Sequence, residues 1–319
     1  MEKINFEDKN KLNEDILRMF YQGSLNDVKI RLSDGDINAN KDILIVRSEY
    51  FSTMFKNSNF IEGETNSVDM SHCSKVVMEK IIKFFFSGEV TFIDLCLAQL
   101  LELSRMSEMM LLVEFKEEVD DYIIKGILPN SGDDAYFLPE LISGLKLANQ
   151  YNLVVIKETI LGEIYSGLKG VPIISNNVKE SESFETLEFS LIKDIFLFGS
   201  ENDISREPSA IECLNAFMHW LSENDITEEQ KTEIVESFDF EDFSLKELLT
   251  SVRDSGLYSV KKIDERVLNL FKDSGDRGSM SEVHELRETI ESVSRFIPRE
   301  RLAKIRWLLK SLMEENSDN

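Results

Sequence analysis

Between residues 10 and 23 the apolar positions Leu12, Ile16, Met19 and Phe20 recur at three- and four-residue spacing, the pattern of one amphipathic helix. The period then shortens to two. Val28, Ile30 and Leu32 share one face of a short strand, and Ile37 and Ala39 share one face of a second. Ser33-Asp34-Gly35-Asp36 between them is turn chemistry, so a hairpin is expected. Helical spacing resumes at Asp42, read as an N-cap, and continues through Ile43, Leu44, Val46, Tyr50, Phe51, Met54 and Phe55. Residues 57–66 form a polar loop interrupted by Phe60 and Ile61. Val68 and Met70 mark a third short strand. Residues 74–86 read as a strongly apolar helix stopped at Ser87-Gly88, followed by helices over about 94–106 and 108–125.

Leu128-Pro129-Asn130-Ser131-Gly132-Asp133 breaks the pattern and is the best candidate domain boundary. Beyond it almost every segment has the helical period. Residues 137–151 and 153–167 predict a helical hairpin, 170–184 an irregular acidic loop, and 187–198, 208–223, 227–237, 243–254 and 259–272 further helices. The expected organisation is an N-terminal domain over 1–127, a helical domain over 133–273, and C-terminal amphipathic helices over 280–315. Gly278-Ser279-Met280 resembles a junction left by cloning, so the last segment either belongs to the chain or was appended to it.

Composition narrows the function classes. In 319 residues there are 36 Lys and Arg against 60 Asp and Glu, a net charge of −24. Such a field repels nucleic-acid phosphates and anionic membranes. It fits either plain solubility or a partner with basic patches. Cys73, Cys96 and Cys213 are few, odd in number and far apart, which argues for a reducing compartment over a disulfide framework. The start of the chain is polar, and no run of about 18 apolar residues occurs. A soluble intracellular protein, cytoplasmic or nuclear, is expected.

Catalytic chemistry finds little footing. His72, His219 and His284 lack Cys or carboxylate partners at metal-ligand spacing, and His219, next to Trp220, reads as a packed core residue. Ser71, His72 and Cys73 are adjacent in sequence, which is not the geometry of a nucleophile and its base. No phosphate-binding glycine loop is present. No enzyme activity, cofactor or metal is expected.

From Gly23 to about Ile124 the order of elements and four local motifs resemble a BTB (POZ) domain. They are Asn26-Asp27-Val28, Ala39-Asn40-Lys41-x-x-Leu44, Ser48-x-Tyr50-Phe51-x-x-Met54-Phe55, and Phe84-Phe85-Phe86-Ser87-Gly88-Glu89-Val90. Asn40 stands where the family has histidine; an amide still donates and accepts, so the fold should be retained. Residues 136–272 are similar to a BACK domain, through Leu145-Lys146-Leu147-Ala148-Asn149-Gln150-Tyr151-Asn152-Leu153 and Ala216-Phe217-Met218-His219-Trp220-Leu221. The implied fold is mainly α: a small α+β BTB domain followed by an all-α BACK domain. A Kelch-type adaptor would continue into a propeller of ~50-residue repeats. Too few residues follow here for one.

The resemblance implies a non-enzymatic adaptor that homodimerises and binds the N-terminal region of a cullin scaffold within a ubiquitin ligase. The alternative is a homo-oligomeric, transcription-linked or viral BTB scaffold that engages no ligase. Phe60-Ile61-Glu62, with Met54 on the preceding helix, falls where cullin-binding relatives carry a hydrophobic–x–acidic motif. Either Phe60 is presented to a partner or it tucks into its own domain. Leu12, Ile16, Met19, Phe20 and Phe51 are the expected dimer interface, against an ordinary core role. Asp27 and Lys41 fall on an acidic–basic pair at the base of the dimer cleft, against a plain surface ion pair. The substrate protein is not named by the sequence. Arg295, Arg299, Arg301, Lys304, Arg306 and Lys310 surround Trp307 in an otherwise acidic chain. That basic amphipathic stretch either packs on the last helices or meets an acidic partner.

Overall fold

The computed structural model describes residues 15, 18, 19, 22, 23, 26–57, 60–128, 138–168, 183–201, 208–238 and 240–276, and residues 288, 290, 291, 299, 302, 303, 305–307 and 310. The chain divides into two compact units, Met1–Glu163 and Ile164–Asn319. The expected boundary loop lies outside the described residues from Pro129 to 137. The first unit continues past it because the helix Leu138–Gln150 packs on the helix Leu97–Met109.

The first unit contains strands β1 (Val28–Leu32), β2 (Gly35–Ala39) and β3 (Ser67–Met70) in the order β2-β1-β3. The hairpin is antiparallel, with Ile30 opposite Ile37. β3 runs parallel to β1, with Val68 opposite Ile30. Val28, Ile30, Leu32, Ile37, Ala39, Val68 and Met70 are all buried on one face, as two-residue alternation requires. Helices α1 (Lys41–Arg47), α2 (Glu49–Lys56), α3 (Glu62–Thr65), α4 (Lys75–Ser87), α5 (Leu97–Met109), α6 (Val113–Asp121), α7 (Leu138–Gln150) and α8 (Val154–Ser166, whose residues from Ile164 on fall in the second unit) complete it, with a π-helical turn at Tyr122–Ile127. α4 packs on β2, α1 and α5, and α5 packs on α7.

The single helix expected from Asp42 to Phe55 is two. Asn40 is the N-cap of α1, its side-chain oxygen accepting from Ile43 N at 3.0 Å. Ser48 then takes an extended conformation and caps both helices. Its N–H donates to Leu44 O, its Oγ accepts from Phe51 N, and the same hydroxyl donates to Met110 O at 3.1 Å. A buried serine satisfied in three directions turns the chain where apolar periodicity alone shows no break.

The second unit is helical among its described residues: α9 (Phe189–Glu201), α10 (Ala210–Glu223), α11 (Glu228–Val235), α12 (Leu245–Leu249), α13 (Ser251–Asp254) and α14 (Val260–Asp276), with 3₁₀ turns at Phe184–Thr186 and Phe240–Asp242. Phe196, Phe217 and Phe238 form an edge-to-face cluster with centroids 5.2–6.0 Å apart. Trp220 stacks beside Phe217, and its Nε1 donates to Leu187 O at 3.0 Å. Ile290 and Ile305 are buried as well. The architecture is therefore mainly α with a small α+β part at the N-terminal end, as the alternating and helical periods predict.

Two glycines permit close packing. At Gly199 in α9 an added Cβ would stand 2.0 Å from the Tyr165 ring, and at Gly144 in α7 one would stand 2.7 Å from a Leu97 methyl. The Leu97 tip can swing aside, whereas the Tyr165 ring is stiff and is held at the Cys213 thiol. Gly199→Ala is expected to lower stability by about 1–3 kcal/mol, and Gly144→Ala by clearly less. Denaturant unfolding followed by circular dichroism checks the ranking.

Candidate protein-interaction site

Phe60 and Ile61 follow α2 and are 42% and 66% exposed. Phe60 does not tuck into its own domain. Glu62, half-buried, opens α3, a single turn closed by Asn66 in the left-handed conformation (φ 49°). The turn is held from three sides. Lys29 N donates to Asn66 O at 2.9 Å, tying it to β1. Gly63 lies so close to α2 that a Cβ there would meet the Phe55 carbonyl oxygen at 3.0 Å. Lys41 Nζ donates to Gly63 O at 2.9 Å and Asn66 Oδ1 at 2.7 Å, with the Phe55 ring centroid 5.1 Å away. Charge-assisted bonds of this kind are each stronger than a neutral pair.

Tyr50 and Met54, one turn apart and both half-buried, share the flank of α2 near this loop. Burial, with a smaller push from the Glu62 carboxylate, holds the Tyr50 phenol above its ordinary value. Tyr50 thus lies within electrostatic reach of Glu62. The result is a face with apolar residues at its tip and one carboxylate behind them.

A second apolar group stands at the other end of α2. Ser48 joins that end to Met110, and Leu111 and Val113 follow, 58% and 65% exposed. α5 and α7 run side by side in the same direction. Leu97 N donates to Glu140 Oε1 at 3.1 Å near their starts, and Arg105 lies over the Tyr151 ring at 4.6 Å near their ends. Val154 and Val155, just beyond the end of α7, are also exposed, 56% and 63%. Both helices end in the same way. Leu111 (φ 58°) and Asn152 (φ 57°) are left-handed, with Leu112 N bonded to Ser107 O and Leu153 N to Ala148 O. Asparagine tolerates that conformation; leucine is strained in it by about 1–2 kcal/mol.

Two sequence expectations are corrected. Phe51, expected at a dimer interface, is 0% exposed and packs among Tyr50, Phe55 and Phe85, so it belongs to the core of its own domain. Asp27 and Lys41 do meet, but through the backbone: Lys41 N donates to Asp27 Oδ1 at 2.7 Å, while the ammonium turns to the Gly63–Asn66 loop. Met19 is 39% exposed in a helical turn where Arg18 pairs with Asp15. Leu12, Ile16 and Phe20 lie outside the described residues, as does His284. His72 is exposed. His219 is not a plain core histidine: it pairs with Glu185, beside Asn224, whose Nδ2 donates to Glu185 O at 2.9 Å. Sequence reading missed the Lys41 brace and the Leu111 group. The turn-forming Gly63 and Asn66 were the available signal for the first, and nothing in the apolar period marked the second.

Among the described residues no group of three or more His, Cys, Asp or Glu side chains is placed to hold a metal, and no helix is long and apolar enough to cross a membrane. Burial pushes the Cys73 thiol far up and the Cys213 thiol up to about 11, while Cys96 is exposed. With a thiol-reactive chromogen at pH 8, the native protein is expected to release one equivalent quickly, a signal that Cys96→Ser removes. Lys41→Met is expected to speed amide exchange at Glu64, Thr65 and Asn66 by about tenfold, corresponding to about 1.4 kcal/mol. Hydrogen-exchange mass spectrometry reads this directly.

The model of the BTB/POZ domain matches residues 16–123, which contain the sheet, the Lys41-braced loop and the Leu111 turn. Over 70 residues, 22% of this chain, the sequence is 29% identical to the human protein named Rho-related BTB domain-containing protein 1. The chain spans about a tenth, 10%, of that relative's length. Among solved structures, the BTB (Tramtrack and Bric a brac) domain of human gigaxonin aligns at 15% identity and a TM-score of 0.30, covering 38% of this chain and 98% of that one. Residues 16–123 form a BTB/POZ domain, a protein-interaction module.

Proposed function

We propose that this chain is a non-enzymatic adaptor that homodimerises through its BTB domain and docks the N-terminal region of a cullin scaffold in a ubiquitin ligase. The observation that carries the reading is Phe60-Ile61-Glu62: two exposed apolar side chains and a carboxylate leading into a turn that Lys41 and Lys29 bond at Gly63 and Asn66. An apolar side chain displayed on a braced turn gains by burial in a partner, about 1.5–3 kcal/mol for a phenylalanine. Bracing adds to affinity because little loop entropy is lost on docking.

The second apolar group supports an extended contact. α2 is 8 residues long, about 12 Å, with Phe60 following one end and Ser48 bonding the other to Met110 beside Leu111, a layout that suits one helical partner. Leu111 adds an argument from strain. Glycine or asparagine would serve the left-handed turn better, so an exposed leucine there is accounted for by what it contacts outside the chain. In this reading the helices after Leu128 act as a BACK-like module that sets the reach to a recruited target, and the dimer brings two such arms together.

The measurement is binding of a purified cullin N-terminal region to the full chain by calorimetry. Wild type is expected to bind at micromolar concentration or better. Phe60→Ala and Glu62→Lys should each weaken binding about tenfold to a hundredfold. Leu111→Gly should weaken it too while leaving the melting temperature equal or higher. A wild-type protein that does not bind leaves the homo-oligomeric scaffold as the function, and a light-scattering mass of one chain removes the dimer.

A further inference from the structure

The last described residues carry charge of the opposite sign to the rest of the chain. Between residues 295 and 310 there are six Arg and Lys and a single acid, Glu300, in a protein of net charge −24. Arg299, Ala303, Arg306, Trp307 and Lys310 are helical and exposed, while Leu302 is half-buried and Ile305 is buried on the other side. Leu302 and Ile305 are thus turned inward, and the indole is not: Trp307 is 66% exposed. Arg306 is fixed by a two-pronged bond to Glu291, Nε to Oε1 at 3.1 Å and Nη2 to Oε2 at 2.7 Å. Arg299 makes no ion pair among the described residues.

We propose that this exposed basic stretch, with Trp307 as its anchor and Arg299 eight residues before it, docks an acidic protein segment bearing an apolar side chain. The indole supplies a flat apolar platform, and large exposed aromatics of this kind are the usual energetic centre of a contact. Arg299 supplies a planar guanidinium suited to a carboxylate. The occupant follows from charge. A basic face on a strongly acidic body attracts an acidic segment locally, while the body repels extended anionic surfaces. An anionic bilayer fits poorly for the same reason. A membrane-lying helix also needs its apolar residues outward, and here Leu302 and Ile305 are turned inward.

The test uses the full chain and a short fluorescein-labelled peptide of Glu and Asp around a Leu-Phe pair, followed by anisotropy. Saturable binding that weakens with added salt is expected. Trp307→Ala and Arg299→Glu should each weaken it at least about tenfold with no change in the thermal unfolding midpoint, since both side chains are exposed. Four outcomes overturn the proposal. They are no saturable binding by about millimolar peptide, undiminished binding by Trp307→Ala, capture of phosphatidylserine vesicles in place of the peptide, and concentration-dependent self-association abolished by Trp307→Ala without peptide binding.

Discussion

Lys41 sends its ammonium group to the Gly63 carbonyl and the Asn66 amide oxygen, and its charge lies near the Phe55 ring. The turn that displays Phe60 and Ile61 is therefore not an independent loop. It is pinned to the start of α1 through Lys41, to α2 through the close approach of Gly63, and to β1 through the Lys29–Asn66 backbone bond. Remove the ammonium and two acceptors lose a charged donor, while the Gly63 contact alone cannot set the direction in which the apolar pair points. Rigid display is what makes such a small group useful for recognition, because the entropy of ordering has been met on folding.

The same economy appears at Ser48. One hydroxyl accepts from Phe51 N and donates to Met110 O, so the start of α2 is locked to the end of α5. α2 is then a strut with an exposed apolar group at each end, Phe60 and Ile61 at one, Leu111 and Val113 at the other. Phe51 and Phe55 on its inner side are buried and form the aromatic contact with Phe85 that holds the strut to the domain. Strain at Leu111 is tolerated because both flanking backbone bonds of the turn are made and Leu112 is buried beneath it.

In the second unit polar clips and the Arg266–Glu241 ion pair join irregular segments to helices. His219 and Trp220 of α10 and Asn224, its C-cap, all engage the Phe184–Thr186 turn and its neighbour Leu187. Arg266 of α14 donates to Glu241 O at 2.9 Å, and Lys262 lies over the Phe240 and Tyr258 rings at 4.7 and 5.2 Å. Exposed ion pairs such as Lys261–Glu265 add little beside these.

The sequence by itself determined the three strands and most of the helices, though it merged α1 with α2 and α12 with α13 and read α3 as loop. Alternation in Val28, Ile30 and Leu32 and the helical stripes beyond Leu128 depend only on which face must be buried. That is a local property of the chain. It also marked Phe60-Ile61-Glu62, since apolar residues in a polar loop stand out without coordinates. Only the tertiary structure decided where long side chains and buried hydroxyls go. Asp27 and Lys41 are opposite charges at plausible positions, yet the ammonium finds its partners 22 and 25 residues away. Ser48 breaks a helix for an acceptor 62 residues distant. Phe51 and Phe60 are the same residue type nine positions apart, one core and one surface, because burial is set by what packs against a residue and not by its own hydrophobicity.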